Sequence, residues 1–171
     1  MSAEARLTAL VLTVSDGVTA GTRTDESGLA LAERLSAEGF EVERGVVPDE
    51  VDAIVAAVRD GARRHRLVVT SGGTGLTPRD VTPQALAPIL DFQVQGLAEL
   101  MRANGLRSTP LAALSRSLAG VMGGTLVLAV PGSPRGALES LEGVLAVLPH
   151  ALETLADDSS RHLGRASHDA S

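Results

Sequence analysis

The chain predicts an α/β fold of three layers, with a mostly parallel sheet and helices on both of its faces. Two observations carry this. Apolar runs of strand length alternate with helical patterns along most of the 171 residues, as successive βαβ units do. The central runs are also continuously apolar, as strands covered on both sides are, and lack the in–out alternation of a half-wet sheet.

The first strand runs from Leu7 to Val14. Asp25 to Glu38 follow as a helix, with Leu29, Ala32 and Leu35 on one face and Gly39 at the position where helices commonly stop. From Phe40 to Val47 the apolar Phe40, Val42 and Val46 are interspersed with charged residues, which predicts a strand nearer an edge. Asp49 opens a helix that presents Val51, Ile54, Val55 and Val58 on one face. Its end carries Arg63, Arg64 and Arg66, where cations suit the helix dipole. Leu67 to Thr70 is the next strand, followed by Ser71-Gly72-Gly73-Thr74-Gly75. Thr82 reads as an N-cap with Pro83 at the first helical position. Short helices are expected over 83–90, 96–104 and 110–118, a turn at Gly123-Gly124 and a buried strand from Thr125 to Val130. Ser133 then caps, and Pro134 starts, a helix bearing Leu138, Leu141, Leu145 and Leu148. Residues 1–158 make a single domain of ordinary size. Residues 159–171 are polar and aperiodic, and a disordered tail is expected there.

Composition removes several classes of function. There is no Cys, which excludes a disulfide scaffold, a thiolate metal site and a Cys nucleophile. All 15 basic residues are Arg, so neither a Walker-type lysine nor a Schiff base can form. A net charge of -6, with Phe40 and Phe92 the sole aromatic residues, argues against nucleic-acid binding. The opening MSAEARLTALVLTV lacks a basic region and a cleavage site and reads as a strand. No apolar run approaches the roughly 20 residues of a membrane span. A soluble, cytoplasmic protein is the expectation.

Three strands end in small or polar residues: Ser15-Asp16-Gly17, Ser71 to Gly75, and Pro131-Gly132-Ser133. In a parallel sheet these ends share one edge, where open α/β sheets bind ligands. Glycines there permit close backbone approach, and the helix starts behind them offer N–H groups to an anion. A phosphorylated ligand follows, although Gly72-Gly73-Thr74-Gly75 is neither a Walker loop nor a dinucleotide fingerprint. Asp16, Asp49 and Asp80 lie at or near this edge and would repel a phosphate unless a hard cation such as Mg²⁺ bridges them. Asp49 reads equally as a plain helix cap, and Asp80 as a turn residue. Arg79 and Arg116 can each clamp a phosphate, but a solvated surface is the commoner fate of a single arginine. His65, in the Arg-rich helix end, reads as solvated, and His150 as a core residue. Ser71 lacks the nucleophile elbow and any evident His and acid partners.

Thr70-Ser71-Gly72-Gly73-Thr74-Gly75, continued by Thr77-Pro78-Arg79-Asp80-Val81-Thr82-Pro83, resembles the signature of the molybdenum cofactor biosynthesis family. The form is similar to that of molybdopterin adenylyltransferases of the MogA type and of gephyrin G domains. The resemblance extends, in family order, to Leu12-Thr13-Val14-Ser15-Asp16, Val47-Pro48-Asp49-Glu50, Leu114-Ser115-Arg116-Ser117 and Pro131-Gly132-Ser133. It implies Mg²⁺-dependent reaction of ATP with molybdopterin to give adenylyl-molybdopterin and pyrophosphate. Asp49 and Asp80 match the family's two essential carboxylates, with the implied task of holding Mg²⁺ and the triphosphate. Asp16, Ser71, Gly72, Gly73, Thr74, Gly75, Ser115, Pro131, Gly132 and Ser133 match substrate-contacting positions. The resemblance further implies a homotrimer and a molybdotransferase that accepts the product. The B-type paralogue of the pathway and a non-catalytic molybdopterin- or nucleotide-binding role are the alternatives. The Pro-Arg-Asp-Val-Thr-Pro continuation favours the adenylyltransferase over the B-type form.

Overall fold

A computed structural model describes the backbone of residues 6–166 and the side chains of residues 6–157. Six strands form one sheet in the order β2-β1-β3-β6-β5-β4. Four of them run parallel: β1 (Thr8–Val14), β2 (Glu41–Val47), β3 (Leu67–Ser71) and β6 (Thr125–Val130). The remaining pair, β4 (Phe92–Gln93) and β5 (Leu118–Met122), run antiparallel at the far edge. Parallel strands need long crossovers, and the helices supply them.

The pleat divides β1, β3 and β6 between two cores. Ala9, Val11, Leu67, Val69, Leu126, Leu128 and Val130 face α2 (Glu26–Ala37), α5 (Gln95–Leu106), α6 (Pro134–Val144) and α7 (Leu148–Ala166). Leu10, Leu12, Val14, Val68, Val127 and Ala129 face α3 (Val51–Arg64) and α4 (Thr82–Leu86). Both faces are therefore covered, which explains the continuously apolar runs. Chain order reverses across β1: the chain moves from β1 to β2 on one side, then to β3 on the other. The β1/β3 boundary is thus a switch point, the place where open α/β sheets form a ligand crevice beyond the strand ends. Among the described residues, no helix is long and apolar enough to cross a membrane.

Several elements differ from the sequence expectation. The helix expected over 110–118 is a 3₁₀ turn at Pro110–Leu114, and β5 begins at Leu118. Ser15-Asp16-Gly17 is not a bare turn, because Asp16–Thr19 form a one-turn helix, α1, capped by the Ser15 hydroxyl. The N-cap of α3 is Glu50 and not Asp49, and that of α4 is Val81 and not Thr82. The helix that starts at Pro134 stops at Val144, and a new one begins at Leu148. Pro149 has no N–H to continue the first helix but is tolerated in the opening turn of the second. Helix α7 then continues to Ala166, into the stretch expected to be a disordered tail. An existing helix adds each residue for one further hydrogen bond, so polar sequence alone does not end it. Residues 167–171 lie outside the described residues. The His65 side chain is only 9% exposed and sets Nε2 3.0 Å from Glu43, whereas His150 faces solvent.

One core residue is poorly satisfied. Thr70 is fully buried, and its Oγ1 has no hydrogen-bond partner among the described residues. An orphaned buried hydroxyl costs about 1–3 kcal/mol. Thr70→Val is therefore expected to raise the melting temperature by roughly 2–4 °C for each kcal/mol recovered. Calorimetry showing a lower melting temperature would mean that the hydroxyl has a partner that binds it in solution.

Candidate active site

The loop after β3 is the centre of the switch point. Gly72 (φ 108°) and Gly73 (φ 67°) both take left-handed conformations that disfavour any side chain. Gly72 donates its N–H to Val130 O at 3.1 Å, and a Cβ on it would collide with the carbonyl oxygen of Val14. It is thus wedged between the ends of β1 and β6. Gly132 follows β6 so closely that its own Cβ would sit 3.2 Å from the Gly72 Cα. The buried Thr82 fastens the loop from behind, donating its hydroxyl to Gly72 O at 2.8 Å and its N–H to Gly73 O at 3.0 Å. Thr82 before Pro83 has the sequence pattern of a helix cap, and nothing in that pattern marks it as a loop fastener.

A cleft of about 670 Å³ opens on one side of this loop. Gly73, Thr74, Gly75, Asp80, Ser115, Pro131, Gly132 and Ser133 line it, so eight of the twelve expected site residues share one cavity. Its opposite wall is apolar, from Met101, Leu111 and Leu114. The Ser115 and Ser117 hydroxyls hydrogen-bond to each other at 2.7 Å. Ser133 caps α6 by accepting the Gly136 N–H at 3.1 Å, which leaves the start of an eleven-residue helix directed at the cleft.

Asp16 and Asp49 lie outside the cleft lining, on the other side of the Gly loop. Each accepts the backbone N–H of the other at 2.9 Å, so the loops after β1 and β2 are clasped reciprocally. The Asp49 N–H and the Arg79 guanidinium hold the Asp16 carboxyl below its ordinary value. Burial pushes Asp49 up, and the neighbouring charges of Asp16 and Asp80 add to this, against the pull of the Asp16 N–H bond and of Arg79. Its Oδ1 lies 3.4 Å from where a side chain on Gly73 would begin. Burial also pushes Asp80 up, but the Thr77 hydroxyl at 2.7 Å, the Thr77 N–H at 2.9 Å and the Gly75 N–H outweigh it, and Asp80 ends below its ordinary value. The two carboxylates therefore flank Gly73 to Gly75, one braced from the β2 side and one from within the loop.

Ser71 and Gly72 are placed beneath this surface. Ser71 is 1% exposed, and its hydroxyl lies 3.1 Å from both Ser27 Oγ and Pro131 O, so that, donating to the carbonyl and accepting from the Ser27 hydroxyl, it ties β3 to α2 and to the loop after β6. Arg79 stays on the surface, its side chain 63% exposed and paired with Asp16, whereas Arg116 is turned inward. Among the described residues, no three carboxylates or histidines stand close enough to cage a metal by themselves.

Residues 10–150 match a family model described as "Probable molybdopterin binding domain". The chain is 39% identical over 155 residues to the molybdenum cofactor synthesis protein cinnamon of Drosophila melanogaster, covering 88% of this chain but 26% of that protein. It is 35% identical over 150 residues to a molybdopterin adenylyltransferase of Helicobacter pylori, covering 85% of each. The crystal structure of the molybdopterin biosynthesis enzyme MoaB of Thermus thermophilus superposes with a TM-score of 0.82 at 53% identity, over 87% of this chain and 96% of that one. With the matched region running from β1 into α7 and enclosing both the Gly loop and the cleft, the chain belongs to the molybdopterin-binding domain family of molybdenum cofactor biosynthesis.

Proposed function

We propose that this protein is a molybdopterin adenylyltransferase, transferring the adenylyl group of ATP to the terminal phosphate of molybdopterin with release of pyrophosphate. The observation that carries this reading is that the Gly loop beyond the parallel strands has a carboxylate at each end, Asp49 beside Gly73 and Asp80, which lines the cleft, beside Gly75. A phosphate oxygen of molybdopterin attacks the α-phosphorus, and the bond from that phosphorus to the β-phosphate bridge breaks. The attacking oxygen is already anionic, so no general base is required, in keeping with the absence of a triad. The chain contributes positioning and charge balance. The N–H groups of Gly73 and Thr74, between the occupied ones of Gly72 and Gly75, and those of the Ser133-capped helix start suit phosphate oxygens. The half-apolar cleft suits a flat heterocycle with a few polar edges.

Asp49 and Asp80 are the residues that would hold Mg²⁺, which when bound neutralises the triphosphate charge. The fit is chemical: the donors are hard oxygens, and Mg²⁺ ordinarily takes one or two carboxylates plus phosphate oxygens and water, with no complete protein cage. Asp49 is also held above its ordinary value by burial and by two neighbouring carboxylates, a local excess of negative charge that a cation relieves. The reading is tested by mixing purified protein with ATP, Mg²⁺ and molybdopterin and measuring pyrophosphate and adenylyl-molybdopterin. Release of neither overturns it.

The 53% identity to MoaB favours one second reading, a B-type paralogue that binds the same ligands without the same turnover. Tight molybdopterin binding with no pyrophosphate release would select it. A molybdotransferase that takes up adenylyl-molybdopterin is the proposed consumer, supported by the match to one segment of the much longer cinnamon protein. A homotrimer independent of Mg²⁺ and ATP is expected. Leu76, Leu111 and Leu114, which are 66%, 68% and 54% exposed beside the cleft, support association between copies. Light scattering that reports a monomer at micromolar concentration would overturn the trimer.

A further inference from the structure

Arg116 lies in the extended segment that leads from the 3₁₀ turn into β5. Alternation along extended chain turns Ser115 and Ser117 into the cleft lining and leaves Arg116 out of it. The Arg116 N–H donates to Thr74 O at 2.8 Å. Its guanidinium donates through Nε to Gly75 O at 2.8 Å, through Nη2 to Asp80 O at 2.7 Å and through Nη1 to Gln84 Oε1 at 3.2 Å. One residue therefore ties together the middle of the Gly loop, its end, the backbone of Asp80 and the first turns of α4. The guanidinium is occupied by these acceptors and does not present a free fork to a phosphate.

We infer that Arg116 is a positioning residue, which sets the Gly loop and Asp80 in register without touching substrate. The inference rests on the proposed adenylyl transfer for its kinetic consequence, though not for its structural one. Only a planar fork with donors pointing in several directions fits the three acceptors, which a lysine ammonium on a flexible stem does not reproduce. The Thr77 bonds orient the Asp80 carboxylate from within its own turn, and Arg116 anchors that turn to the rest of the protein.

The test compares Arg116→Lys and Arg116→Ala with wild type by amide hydrogen exchange in the ligand-free protein, by thermal melting, and by pyrophosphate release over Mg²⁺ and ATP series. Exchange across residues 72–80 is expected to accelerate in both variants while β1, β3 and β6 keep their protection. The kcat should fall about 10–100-fold, the range for losing a group that orients a metal-holding carboxylate. The Mg²⁺ concentration for half-maximal rate should rise, the KM for ATP should change little, and lysine should rescue no better than alanine. A phosphate clamp predicts the reverse: loop exchange unchanged, KM for ATP raised and most activity retained by lysine. That result overturns the inference. Global loss of protection in both variants overturns it as well, since Arg116 would then hold the fold as a whole. If wild type releases no pyrophosphate, the adenylyl-transfer reading fails by itself, and exchange across 72–80 still decides the role of Arg116.

Discussion

Asp80→Asn and Asp49→Asn should each slow pyrophosphate release by about 10²–10³-fold, or roughly 3–4 kcal/mol of transition-state stabilisation, while their effects on stability diverge. Asn preserves size and one acceptor oxygen at both positions, so the loss reports the missing charge. At Asp49 the ionised carboxyl is disfavoured, first by burial and then by Asp16 and Asp80. A carboxyl raised in the folded state costs stability as pH rises from its unfolded to its folded value. Asp49→Asn removes that cost, and since Asn can still accept the Asp16 N–H, its melting temperature at pH 7 should equal or exceed that of wild type. At Asp80 the net shift is downward, because Thr77 and Gly75 outweigh burial. Its stabilising contribution is present above the unfolded carboxyl pKa and is lost as pH falls through the folded value. Asp80→Asn should therefore melt lower than wild type at pH 7, with the gap closing in acid. Extra Mg²⁺ should recover part of the rate in both variants. Turnover at the wild-type rate in both would remove these residues from the reaction and promote the binding-only reading.

The parallel part of the sheet was legible because its signals are local. Continuous apolar runs mark β1, β3 and β6, and their polar ends converge on one edge whatever the strand order. The antiparallel edge was not legible. β4 is two residues long, and β5 contains Gly120, whose missing side chain makes room for Leu90 and the Phe92 carbonyl, a contact with no local signature. Gly132 and Ser133, legible as the polar end of a strand, and Ser115, legible only through the family resemblance, do line the cleft. What sequence could not show is how the carboxylates are held. An Asp just before a helix reads as its cap, yet Asp49 bonds the backbone of Asp16, 33 positions away. Arg116 likewise reaches Gly75 across 41 positions. Such long-range side-chain-to-backbone bonds leave no periodicity, so the sequence indicates the participants while geometry alone assigns their tasks.

Gly73→Ala should cost about 10²-fold in turnover and lower stability somewhat more than Gly39→Ala, a substitution that shares its backbone strain but not its collision and should leave turnover unchanged. Both glycines have positive φ, 67° at Gly73 and 89° at Gly39. An alanine at either is expected to cost about 1–3 kcal/mol in backbone strain. The surroundings separate the two. A Cβ at Gly39 meets nothing within 4 Å, at the end of α2 away from the cleft. A Cβ at Gly73 runs into the Thr82 hydroxyl, whose bond to Gly72 O fixes the loop, and reaches 3.4 Å from Asp49 Oδ1. Relieving that collision either shifts the loop and its N–H groups or displaces the Thr82 hydroxyl and breaks its bond to Gly72 O, and both disturb the loop beside Asp49. A displacement of about 1 Å in a positioned group is enough to cost about 10²-fold in rate. Melting curves and pyrophosphate release on the two variants make the comparison, with nucleotide affinity measured by calorimetry. A large activity loss at Gly73 alone, in protein that is still folded at the assay temperature, would assign the loop to ligand positioning. Equal activity losses at both sites, or full activity at Gly73→Ala, would reduce the glycine run to an ordinary tight turn between β3 and α4.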